Sequence, residues 1–195
     1  YYAAHSLAAR MLNLLGRPGE ALPHAEELMR IAPLTPDAAL MKVRVLEDQS
    51  RIFEAADLLK ETIGYASMVR DLAICFYRLA FMEWKLGRED LTVICYQRAI
   101  NLHPEVAKLA QEELDDLLSA NSELKPLPDD EIVEALSQAG LPTGEVSKMR
   151  RQTRDALVAT TDAGVFSVAH ALAGSLHELI SDDALLDVRR SLTRP

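Results

Sequence analysis

Gly87-Arg88-Glu89-Asp90-Leu91-Thr92 leads into a segment that closes at Leu102-His103-Pro104, and this stretch decides the fold. A glycine stops one helix, a second helix follows, and a proline ends it. The same grammar appears earlier as Gly16-Arg17-Pro18-Gly19-Glu20-Ala21, which runs to Ile31-Ala32-Pro33. Between the two, Ser50-Arg51-Ile52-Phe53-Glu54-Ala55 repeats it with Ser in place of Gly. Ala21 and Ala55 are 34 residues apart, and Ala55 and Thr92 are 37 apart. Self-similarity at this period marks a stack of helical hairpins, an architecture that presents extended binding surfaces.

Working outward, apolar residues at helical spacing predict helices over 2–15, 18–32, 36–48, 51–63, 67–86 and 89–102. Leu7, Met11, Leu14 and Leu15 mark the first, and Ala21, Leu22, Ala25, Leu28 and Met29 the second. At Gly64-Tyr65-Ala66 the period stretches by three residues, which predicts an extended turn or a longer helix. A helix over 104–119 carries Val106, Ala110 and Leu114 and is the candidate lid for the exposed end of the stack. Residues 121–130 hold two prolines and no periodicity, the composition of a linker. Beyond it, helices are expected over 129–138, 143–160, 162–180 and 181–192, with Asp182 and Asp183 at the favourable N-terminal end of the last. No strand pattern appears. The reading is all-α: hairpins and lid over 1–120, a linker over 121–130, and a small C-terminal helical bundle over 131–195.

Composition agrees. Apolar residues make up 49% of the 195 positions, enough for a folded core, while aromatics are only 5%. The net charge is −9 and is spread over both parts of the chain, which disfavours nucleic acid as a partner. Cys75 and Cys95 form no C-x-x-C pair and read as reduced, buried thiols. No apolar run approaches the roughly 20 residues of a membrane span. The chain opens on Tyr1-Tyr2, without Met and already in a helical pattern, so a piece of a longer protein is expected. A cytoplasmic, bacterial-type source is a separate expectation.

The third hairpin resembles the tetratricopeptide repeat. It offers Phe76, Leu79-Ala80, Gly87, Thr92, Tyr96, Ala99 and Pro104 at the family's spacings. The small residues let the two helices approach closely. The first hairpin keeps Ala9, Gly16, Ala21 and Pro33, with Ala25 where the aromatic belongs. The second keeps Ala55 but has Ser50 for Gly and Leu59 for the aromatic. The resemblance covers about residues 2–104. It implies a right-handed α-α superhelix with a concave groove lined by each repeat's first helix, in which a partner peptide or helix lies. Carried over by spacing, the groove candidates are Ser6, Arg10 and Asn13, then Leu40, Arg44 and Glu47, then Tyr77, Arg78, Phe81 and Trp84. Arg10, Arg44 and Arg78 are 34 apart, but the three-residue stretch puts Arg78 out of phase. The carboxylate clamp of some family members is poorly matched, because Ser6, Met41 and Ile74 stand where basic or polar donors are wanted. Tyr77, Phe81 and Trp84 share one helix face and either pack against the next helix or anchor a partner.

Other clusters read as ordinary surface. Lys148, Arg150, Arg151 and Arg154 are flanked by Glu145 and Asp155, and Glu112, Glu113, Asp115 and Asp116 read as solvated. His170 and His177 lack companions for a metal site. No phosphate-cradling loop, zinc-protease helix, nucleophile elbow or dinucleotide fingerprint is present. The expected function is therefore a non-catalytic scaffold or adaptor without cofactor. The alternatives are a regulatory domain of a larger signalling or transcription protein, self-association through the end of the stack, and an enzyme with a site built from scattered residues.

Overall fold

The three signature turns are closed by main-chain bonds of one pattern. The Gly16 amide donates to the Asn13 carbonyl and Arg17 N–H to Leu12. Ser50 and Arg51 donate to Glu47 and Leu46, and Gly87 and Arg88 to Trp84 and Glu83. The residue at each turn is left-handed, with φ of 70° at Gly16, 60° at Ser50 and 74° at Gly87. This geometry ends a helix while satisfying its last carbonyls, and it favours glycine because a Cβ crowds the left-handed conformation.

The computed structural model describes residues 1–33, 35–66, 68–180 and 184–192. Around the turns lie α1 (Tyr2–Leu14), α2 (Pro18–Ile31), α3 (Pro36–Asp48), α4 (Ile52–Tyr65), α5 (Val69–Lys85), α6 (Glu89–Leu102) and α7 (Pro104–Ala120). Then come α8 (Ile132–Gln138), α9 (Val146–Asp162), α10 (Phe166–Ile180) and α11 (Ala184–Ser191). No strand occurs among the described residues, and the class is all-α. The stretched period appears as a longer helix: α5 has 17 residues where α1 and α3 have 13. Asp182 and Asp183, and the side chains of Lys148, Arg150 and Arg151, fall outside what the structure describes.

Two compact units are formed, Tyr1–Ala66 with Arg70–Thr143, and Gly144–Pro195 with Ser67–Val69. In the first, each helix packs on its neighbour from α1 to α4, and α6 packs on α7 and on α8. The small positions Ala21, Ala55 and Thr92 are wholly buried, as are Ala9, Ala80 and Ala99. Large side chains would hold the helices apart there. Leu28, Leu46, Leu59, Leu72, Phe76 and Leu79 fill the space between. Glu83 is fully buried but not alone: Arg88 Nη1 lies 3.0 Å from one carboxylate oxygen and Lys60 Nζ 3.5 Å from the other. This pairing offsets part of the cost of burying the charge, although Glu83 Oε1 accepts no hydrogen bond among the described residues.

Residues 121–131 run along the α6 hairpin within this unit. Gln97 donates through Nε2 to the Leu127 carbonyl at 2.7 Å and accepts the Leu127 amide at 2.9 Å. Asn101 reaches Asp129, and Asn121 reaches Glu89. Ile132 and Leu136 of α8 are wholly buried. In the second unit α10 packs on α9 and α11, with Leu157, Ala169, Ala173 and Leu176 at its core.

Candidate partner-binding groove

The first helices of successive hairpins are tied side by side. α1 packs on α3 as well as on α2. Asn13 of α1 donates to the Asp48 carboxylate of α3. Glu47 of α3 accepts a hydrogen bond from Arg78 of α5 in a half-buried ion pair. Arg70 of α5 reaches Glu105 of α7 at 3.3 Å. One face of the first unit is thus built from α1, α3, α5 and α7.

Two cavities lie against these helices. The first, about 450 Å³, lies between α3 and α5 and is lined by Leu40, Arg44, Glu47, Asp48, Ile74 and Arg78. The second, about 250 Å³, lies among α5, α6 and α7, with Phe81, Trp84, Tyr96, Glu113, Asp116 and Leu117 in its wall. Arg44 is exposed, whereas Glu47 and Arg78 hold each other. The first cavity therefore offers one exposed guanidinium beside an ion pair.

The turns set the register. Arg10 and Arg44 each stand six residues before their turn residue, and in the third hairpin Phe81 takes that place. Arg78, nine residues before its own turn, pairs with Glu47 instead. Asn13, Glu47 and Trp84 share the next register position, three before the turn, yet have different surroundings. Asn13 is buried and bonded, Glu47 is paired, and Trp84 is 49% exposed. Arg10 lies exposed at the α1 end.

The three aromatics of α5 divide. Tyr77 is half-buried against Tyr96, with ring centroids 5.8 Å apart. Phe81 and Trp84 stack on each other at 5.7 Å. Burial first, and then the nearby Glu113 carboxylate, raises the pKa of both Tyr77 and Tyr96. Asp48, which sequence reasoning left aside, belongs to the first cavity wall, and Glu113 and Asp116, read as solvated and indeed exposed, belong to the second. The three-residue spacing of Glu113 and Asp116 on one face of α7 is the signal that could have drawn attention to them.

Elsewhere in the chain, His170 and His177 both have partners. His170 Nδ1 lies 3.0 Å from the Arg189 carbonyl, and its Nε2 accepts from Arg189 Nε at 3.0 Å. His177 is engaged as well. Among the described residues, no group of three or more His, Cys, Asp or Glu side chains is arranged to hold a metal ion. None of the described helices is long and apolar enough to cross a membrane. No family profile matches the chain, and no curated protein is significantly similar to it.

Proposed function

We propose that the chain is a tetratricopeptide-like, non-catalytic interaction module, whose superhelically arranged hairpins hold a partner peptide or helix along the face of α1, α3, α5 and α7. The observation that carries this reading is the pair of cavities on successive first helices, at positions the repeat spacing nominates for contact. Leu40, Arg44, Glu47 and Arg78 border one, and Phe81 and Trp84 the other. The buried small residues at Ala21, Ala55 and Thr92 support the family assignment. The bonds from Asn13 to Asp48 and from Arg78 to Glu47 brace the walls before a partner arrives, which lowers the ordering cost of binding.

The test is to pan a displayed random peptide library against the protein and measure the enriched sequences in solution. Arg44→Glu and Trp84→Ala should each weaken binding at least about tenfold, a difference of roughly 1.4 kcal/mol. Phe53→Ala, an exposed aromatic change on α4, should leave it intact. Peptides that bind all three variants as they bind the parent would move the site away from this face.

A further inference from the structure

The cavity among α5, α6 and α7 combines aromatic faces with unneutralised carboxylates. Phe81 and Trp84 stack with their planes 28° apart, and Trp84 keeps 49% of its surface exposed. Tyr96, almost fully buried, lies beneath. From α7, Glu113 and Asp116 join the same wall, both exposed. Neither forms an ion pair or hydrogen bond among the described residues, whereas their neighbour Asp115 accepts from Gln111. Phe81 already draws cations of the chain itself, with Lys85 Nζ 4.9 Å and Arg78 Cζ 5.7 Å from its centroid. No cation of the described residues stands over Trp84. The volume of about 250 Å³ falls below the roughly 300–1,000 Å³ of a small-molecule pocket and suits one side chain.

We propose that this cavity accepts an arginine side chain of the bound partner segment, its guanidinium lying on the Trp84 ring and paired with Glu113 and Asp116. The proposal rests on the groove reading above and names the side chain for one of its pockets. The chemistry is complementary. A ring face attracts a cation, most strongly that of Trp. A planar guanidinium stacks on the ring while its fork of N–H groups meets two carboxylates. An acidic side chain would meet Glu113 and Asp116 as like charges. An aliphatic one would leave them without a partner.

The probe is N-acetyl-arginine amide, with N-acetyl-citrulline amide as its uncharged isostere. Trp84 is the chain's one tryptophan, so its emission reports this cavity. At low salt the arginine probe should give a saturable change, at least tenfold weaker with citrulline. The change should be lost in a Glu113→Gln, Asp116→Asn double variant whose circular dichroism matches the parent. Equal responses to the two probes, an unchanged response in the double variant, or no response at all would overturn the pocket. Failure of the groove reading has a different signature: the arginine probe binds as described, yet no panned peptide depends on Arg44. Panned peptides that depend on Arg44 while Trp84 is silent to arginine would remove the pocket and leave the groove.

Discussion

Ser50 occupies a conformation that the other two turns give to glycine, with φ of 60°. A Cβ added at Gly16 or Gly87 would meet nothing within 4 Å, so the cost of a side chain there lies in the backbone and not in crowding. The left-handed penalty for an L-residue is roughly 1–2 kcal/mol. Glycine gives back about 0.4–1 kcal/mol through the greater freedom of the unfolded chain. Ser50→Gly should therefore stabilise the first unit by about 0.5 kcal/mol, and Gly16→Ala should destabilise it by about 1 kcal/mol. Both are read as shifts of the urea midpoint at constant slope. The two cysteines make a second prediction. Burial, and then Asp71, pushes the Cys75 thiol up to about 12, and burial raises that of Cys95 as well. Only the thiolate reacts. Iodoacetamide at pH 8 should leave both unmodified in the folded protein and alkylate both in urea. Rapid native labelling of either would contradict its buried position.

Among the elements, the segment after α7 is held to α6 chiefly by the reciprocal bonds between Gln97 and Leu127. Gln97→Ala leaves a main-chain amide and carbonyl without their partner, at a cost of about 1–3 kcal/mol. Hydrogen exchange at the Leu127 amide should accelerate while amides within α6 keep their protection. That attachment was hidden in the sequence, where Pro126 and Pro128 predict loose chain and nothing announces a glutamine thirty residues earlier as its anchor. The hairpins were legible because glycine, proline and small residues act locally, through backbone geometry and close approach. Tyr77 and Trp84 show the limit. Their spacing places them on one face of α5, but whether a ring meets Tyr96 or solvent depends on where α6 lies. Glu113 and Asp116 looked like ordinary surface charge for the same reason, since a charge pattern names a helix face and not the cavity beside it.

At the scale of the molecule, the two units have cores of their own, the second built on Leu157, Ala169, Ala173 and Leu176. Trp84 belongs to the first unit alone, whereas circular dichroism sums the helices of both. Denaturation followed by tryptophan emission and by dichroism should give non-coincident transitions, the signature of departure from two-state behaviour. Coincidence at every denaturant concentration would make the two units one cooperative body. The unlike residues at one register carry a last consequence. Three identical hairpins would offer three interchangeable stations, and a bound segment could slide by one interval at little cost. Three residues before each turn this chain instead sets a buried amide at Asn13, an ion-paired carboxylate at Glu47 and an exposed aromatic at Trp84. A ruler whose marks all differ can be read from only one end and at only one setting. A partner lying along this face would be fixed in its alignment by the differences among the repeats, not by the repeat itself.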